Sequence, residues 1–402
     1  MKMNSHFEVV IVGAGIAGLI AAIDMARAGL QVAMIEAREF HAASGEQHIR
    51  VSAINIVSER ILRHLGCWEN IADKWMSPFR EISVTDTEGT SQVAFSYRDI
   101  GRAYLGNIIA NDALIQALLD RAQALPSFTL LCPAQIEALI IGDNEVKLKL
   151  VGGQTLQAKL LVGADGAHSW VRETLKIPCK EVAYDHSAVV ATIKSSRAHN
   201  ATARQRFLAT GPIAFLPLHD ANHCSIVWST SPEEAEKLVH CNLEVLGDKI
   251  AATIDEELGD ITVVDKPVAF PLTMRHASHY VHPRVALIGD AAHTIHPLAG
   301  QGMNLGILDA ACLSEVVIAN FRAQRDIGLI QNLRRYERWR RGDNQMMIDA
   351  MAFFKEGFAV QKGFLRKFRD VALLVTNRNR WLRKIFMHNA MGFRGELPLI
   401  GG

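Results

Sequence analysis

The sequence predicts an α/β protein: a discontinuous Rossmann-like domain, an antiparallel-sheet second domain, and C-terminal helices. Three observations carry that expectation. The chain opens as strand, glycine-rich turn, helix and strand. Two further apolar strands, ending near residues 162 and 288, run into glycine-acid turns. Between 181 and 274 apolar and polar residues alternate as they do in half-buried strands.

At 402 residues the chain exceeds the usual span of one domain. The Rossmann-like domain is expected in three pieces, 1–75, 100–180 and 275–330; the second domain comprises 76–99 and 181–274, and 331–402 is helical. A net charge of +1 offers no bulk attraction for nucleic acid, which is excluded as a partner. The charge is uneven, with 15 Lys and Arg against 6 Asp and Glu from Arg334 onward. The six cysteines stand singly, without the paired spacing of a zinc site or redox disulfide, as suits a reducing cytoplasm. The uncharged run from Val9 to Ile23 is shorter than the roughly 20 residues of a membrane helix and is broken by three glycines, so it reads as neither a span nor a signal peptide.

In "FEVVIVGAGIAGLIAAIDMARAGLQVAMIEA" an apolar run meets Gly13-x-Gly15-x-x-Gly18, then a helix, then a second strand ending in Glu36. Gly13 permits the tight turn, Gly15 lets backbone approach a pyrophosphate, and Gly18 allows close helix–strand packing. Helix N-terminal amides meet the phosphate charge. Glu36 accepts from ribose hydroxyls and excludes a 2′-phosphate, which leaves FAD or NAD as the ligand. No second G-x-G-x-x-G and no cysteine pair follows, as a disulfide reductase would require.

Two other turns follow instead. "AKLLVGADGAHSWVRETL" leads a strand into Asp165-Gly166 and then a helix containing Ser169 and Arg172. "RVALIGDAAHTIHPLAGQGMNLG" leads a strand into Gly289-Asp290, with a helix opening near Gly302. Asp290, His293 and His296, three apart, could place three metal ligands on one helix face. The strand before Asp290, Pro297 after the histidines, and the glycines at the helix start favour a cofactor there, and no metal is expected.

With these three motifs in order, the chain resembles the single-component FAD-dependent aromatic monooxygenases. "RVSAIN", the Gly289 segment and "LRRYERWRR" look like their ubiquinone-biosynthesis branch, nearest to the bacterial 2-polyprenylphenol hydroxylases. The resemblance implies FAD as cofactor, NAD(P)H as electron donor and O2 as co-substrate, with a flavin C4a-hydroperoxide delivering oxygen to the phenol ring. It implies that Gly13, Gly15, Gly18 and Glu36 hold the adenosine diphosphate half, and that Gly289 and Asp290 meet the ribityl chain. The amides of Gly300, Gly302, Met303 and Asn304 would stabilise negative charge on the reduced ring. Pro297 and Arg50 would lie beside the reactive carbon, with Arg50 on a loop before a helix that starts near Ala53. Asn111 stands where many relatives carry an FAD-contacting arginine, and a helix N-cap role fits it equally. Asp165 and Gly166 match a motif that serves both FAD and the nicotinamide donor; a purely structural turn is the alternative.

The segments "REISVTDTEG" and "SQVAFSY" form a hairpin expected in the second domain, whose sheet would cover the isoalloxazine. Phe215, Leu216, Pro217 and Trp228 are candidate cavity residues, with core packing the plainer alternative. Beyond residue 360, Arg366, Lys367, Arg369, Arg378, Arg380, Arg383 and Lys384 interleave with aromatic and aliphatic residues. Such a face can lie on the inner surface of the cell membrane, meet another ubiquinone-biosynthesis enzyme, or pack as a helical cap. The substrate implied is a lipophilic polyprenylphenol. A hydroxylase of another aromatic compound and a non-catalytic FAD-binding subunit remain open at this point.

Overall fold

The computed structural model describes residues 5–40, 50–86, 92–254, 256–295, 301–359, 391–393 and 395–401. Pro297, Gly300, His296 and the basic stretch from Arg366 to Lys384 lie outside them.

Numbered along the chain, β1 (His6–Val12) runs into α1 (Ile16–Arg27) and β2 (Val32–Ile35). Then come β3 (Val51–Asn55), α2 (Ile56–Leu65), β4 (Met76–Phe79), β5 (Glu81–Asp86), β6 (Gln92–Ser96), β7 (Gly106–Ala110) and α3 (Asn111–Gln123). β8 (Phe128–Leu131), β9 (Ile136–Ile141), β10 (Val146–Leu150) and β11 (Thr155–Gly163) lead to the short α4 (Trp170–Thr174). β12 (Cys179–Ser195), β13 (Thr202–Leu208), β14 (Gly211–Pro217) and β15 (His223–Thr230) precede α5 (Pro232–His240) and α6 (Leu243–Ala251). The last strands are β16 (Ile261–Val263), β17 (Val268–Ala277), β18 (Val281–His282), β19 (Val285–Leu287) and β20 (His293–Thr294), followed by α7 (Gln301–Arg322) and α8 (Ile330–Ala359).

Three sheets result. The first has the order β18-β19-β11-β1-β2-β8, parallel from β19 to β8, with β9 and β10 added antiparallel beside β11. Its central strands are buried on both faces, which is why β1 reads as an unbroken apolar run from Val9 to Val12. α1 is buried along almost its whole length and packs against α3 and α7. α7 is long and apolar enough to cross a membrane, but most of its apolar stretch is buried inside the protein, where it serves as a core helix.

The second sheet is β20-β17-β12-β15-β14-β13-β5-β6, with β16 beside β12; β5 and β6 form the expected hairpin. One face packs Val189, Ile193, Ile213 and Ile226 on α5 and α6. The third sheet, β3-β7-β4, was not foreseen. The helix expected near Ala53 starts instead at Ile56: residues 51–55 pair in full register with β7, and Asn55 caps α2 by accepting from the Ser58 amide at 2.9 Å. Gly106 permits the pairing, since a Cβ there would strike the Ile54 carbonyl and Phe79.

Candidate active site

Strand order gathers turns that are distant in sequence. β19, β11, β1 and β2 are adjacent and parallel, so Gly289-Asp290, Asp165-Gly166, the Gly13–Gly18 turn and Glu36 all emerge at their carboxyl ends. That edge of an open parallel sheet is where ligands bind. Backbone bonds lace the turns: Gly13 N–H to Ile35 O at 2.8 Å, Ala164 N–H to Val12 O at 2.8 Å, and Ile288 N–H to Gly163 O at 3.0 Å.

The glycine turn has the form of a phosphate cradle. Gly13 has φ +98°, and a Cβ there would overlap the Ala164 carbonyl; one on Gly18 would overlap the Gly13 carbonyl. Gly15 differs, being exposed, extended at φ −73° and ψ 175°, and open enough that a Cβ would meet nothing within 4 Å. α1 starts with no side-chain cap and no acid in its first turn, which leaves its leading amides available to an anion. Glu36 is already oriented: its Oε2 accepts from the Ala14 amide and its Oε1 from the Arg38 amide, both at 2.9 Å. These residues fit the diphosphate and ribose of a dinucleotide.

Asp290 sits in the short turn Gly289–Ala291 that follows β19. Its side chain is reached by solvent while protein surrounds it closely, and this burial pushes its carboxyl above the ordinary value; neighbouring His293 and Arg50 oppose the rise. Arg50 is thus brought near Asp290, and its guanidinium also lies over the Phe270 ring of β17 at 5.5 Å. Asn111 is the first residue of α3, whose N-cap is Ala110 with no side-chain capping bond, so the capping role is corrected. Its amide donates to Arg50 O at 2.8 Å, and its side-chain Oδ1 is buried without a partner.

Gly302, Met303 and Asn304 occupy the first turn of α7, where backbone amides have no partner within the helix. The Asn304 side chain has a structural role, donating to Ala53 O at 2.8 Å and accepting from the Asn55 amide at 3.0 Å, which ties α7 to β3. Asp165 accepts from Val171 N–H at 3.0 Å and Ser169 from Arg172 N–H at 3.0 Å, so both cap α4. Burial pushes the Asp165 carboxyl up. Gly166 supplies a turn at φ +81°. Arg172 is buried and donates to Ala291 O at 3.0 Å and Ala167 O at 2.8 Å, joining this turn to the one that carries Asp290.

The face of the second sheet opposite its helices is a half-buried row: Val268, Val190, Val227, Ala214, Gln205 and Val84 stand side by side on successive strands. Phe215 and Trp228 belong to the other face and are core, because alternation turns them toward α5 and α6. Phe270 escaped sequence reading, since one aromatic residue in an alternating strand carries no signal. So did Asp309 and Arg340, which form a fully buried ion pair at 2.8 Å. A lone carboxylate in the apolar run "NLGILDAACL" was the available hint.

Fold and site together define a class: a Rossmann-like dinucleotide-binding protein with a second sheet, antiparallel except where β13 pairs parallel with β5, attached at its nucleotide-binding edge. The FAD binding domain family matches residues 6–350. The chain is 36% identical over 392 residues to the 3-demethoxyubiquinol 3-hydroxylase of Escherichia coli strain K12, covering 97% of this chain and 99% of that one. It is 34% identical over 388 residues to ubiquinone hydroxylase UbiL of Rhodospirillum rubrum, covering 96% and 89%. The solved p-nitrophenol 4-monooxygenase PnpA of Pseudomonas putida DLL-E4 shares the fold, with a TM-score of 0.81, 18% identity, and coverage of 98% and 100%. The chain belongs to the FAD binding domain family, among its ubiquinone-biosynthesis hydroxylases, and is an FAD-dependent monooxygenase.

Proposed function

We propose that the protein hydroxylates the aromatic ring of a polyprenylated phenol on the route to ubiquinone, with NAD(P)H as reductant and O2 as oxygen source. The observation that carries this reading is the half-buried row across the second sheet, apolar but for Gln205, which suits a lipophilic ring and excludes water from it. A small recess of about 50 Å³, lined by Val51, Trp75, Ile108, Ala110 and Leu218 together with Lys74, Ser77 and His219, adjoins Arg50 and Asn111 along the chain. In this reading 1–75, 100–180 and 275–330 hold the cofactor, and 76–99 with 181–274 the substrate.

Bound FAD supplies the redox chemistry that activates oxygen. The chain's own residues do the positioning: Gly15 and the α1 amides take the pyrophosphate, Glu36 the adenosine ribose, and Asp290 the ribityl hydroxyls. The α7 amides would offer positive dipole to negative charge on the reduced ring, and Arg50, held over Phe270 and near Asp290, would add a cation.

The test is NAD(P)H oxidation by FAD-loaded protein with a short-chain 2-polyprenylphenol under labelled O2. Product without one labelled oxygen would sink the reading. A 3-demethoxyubiquinol is the second substrate to assay, because the Escherichia coli relative is named for it. We further propose that this is a cytoplasmic protein whose basic segment from Arg366 to Lys384 meets the inner membrane face or a companion biosynthetic enzyme, as its charge and a lipid-borne substrate suggest. Flotation with anionic liposomes, full chain against one ending at residue 360, tests the membrane contact; equal flotation refutes it.

A further inference from the structure

Beneath the turn that carries Asp290 lies a carboxylate with no exposed surface, Asp309 in the third turn of α7. Its Oδ2 accepts from the Gly289 amide at 3.2 Å and pairs with His293 Nε2 at 2.5 Å. Its Oδ1 accepts from Arg340 Nε at 2.8 Å and Asn344 Nδ2 at 3.1 Å, both from α8. Asn344 continues to the Tyr280 hydroxyl at 3.3 Å, which meets His276 of β17 at 2.9 Å. The turn also sits hard on α7: a Cβ on Gly306 would lie 3.3 Å from the Gly289 Cα.

Stability alone does not explain this arrangement, because a buried ion pair commonly contributes no more than well-packed apolar residues of similar volume. What it does achieve is geometric. The two Oδ2 contacts fall on either side of Asp290, one on the residue before it and one on the third residue after it. Both end on α7, which packs against that turn.

We propose that Asp309 is a positioning residue for the flavin. It clamps Asp290 and the N-terminal amides of α7 into one rigid unit, and through Arg340 and Asn344 it makes the placing of that unit depend on α8.

The test compares Asp309→Asn with the double variant Asp309→Asn, Arg340→Met. It reads FAD affinity by titration of apoprotein, the flavin midpoint potential, and apoprotein melting; none of these involves a substrate, so the result stands apart from which phenol is hydroxylated. The single variant strips Arg340 of its closest carboxylate, leaving only the longer contact to Asp343 at 3.4 Å, and lowers melting and affinity together. The double variant recovers most of the melting temperature, yet binds FAD on the order of tenfold more weakly and with a displaced midpoint potential, as loss of a charge-assisted contact implies. Wild-type affinity and potential in the double variant would overturn the proposal and reduce Asp309 to a counterion for Arg340. If neither variant folds, His293→Leu, which carries no donor, removes only the arm after Asp290; weakened FAD binding with a shifted potential is expected, and wild-type values for both would equally overturn it.

Discussion

Substituting two glycines of one motif separates a binding role from a folding role. Gly15→Ala adds a methyl where the backbone is extended and nothing lies within 4 Å, so the apoprotein loses no contact. Removing glycine's freedom in the unfolded chain stabilises by roughly 0.4–1 kcal/mol. With an unfolding entropy of about 2.1 cal/mol/K per residue, a chain of this length melts roughly 1 °C higher per kcal/mol, so the apoprotein gains at most about 1 °C. The methyl nevertheless fills the space a pyrophosphate needs, and losing one charge-assisted bond, at about 1.5–3 kcal/mol, weakens FAD by roughly 10- to 100-fold. Gly13→Ala is the contrast: at φ +98° with a carbonyl in the way, it costs about 3 kcal/mol or more and lowers apoprotein melting by about 3 °C. Fluorescence titration of apoprotein with FAD and calorimetry of both variants decide it. Wild-type FAD affinity in Gly15→Ala, or melting as low as that of Gly13→Ala, would refute the cradle.

Three other outcomes are expected. Asp290→Asn should weaken FAD binding without destabilising apoprotein at neutral pH: its folded carboxyl lies above the unfolded value, so it favours folding only at acidic pH and loses that contribution as pH rises through the folded value. A less stable apoprotein at pH 7 would contradict this. His199, buried, bonds through Nε2 to Leu218 O and Asp220 O while its Nδ1 accepts from the Ala201 amide, and burial holds its pKa below 6.5. Its contribution is present above the unfolded value and fades as pH falls through the lower folded value; His199→Gln should flatten the fall in denaturant-measured stability on the acid side of neutrality, and an unchanged slope would count against it. Arg50→Ala should slow substrate-dependent NAD(P)H oxidation at least threefold, from the loss of a contact to Phe270 of about 0.5–1 kcal/mol and of the cation near Asp290. An unchanged turnover in stopped-flow would remove Arg50 from the site.

Much of the nucleotide edge was legible because its constraints are local. Positive φ at Gly13, backbone approach at Gly15 and an acid closing β2 each mark a few consecutive residues. Local pattern misled where long-range pairing governs: "VSAIN" became strand because β7, some fifty residues on, binds it, and Asn111 yielded the cap position to Ala110. For Phe215 and Trp228 strand register selects core packing, the plainer of the two readings the sequence offered.

By itself, then, the sequence determined that one glycine-rich turn and two glycine-acid turns end apolar strands, that the ligand is a dinucleotide without a 2′-phosphate, and that an alternating-strand region follows. Only the tertiary structure decided that the turns share one edge, because that depends on the strand order β19-β11-β1-β2. It alone placed Arg50 between Asp290 and Phe270, and it alone joined His293 to Asp309 and Arg340. The physical reason is that desolvation and close packing act between residues hundreds of positions apart, and no periodicity in the chain encodes which of them meet.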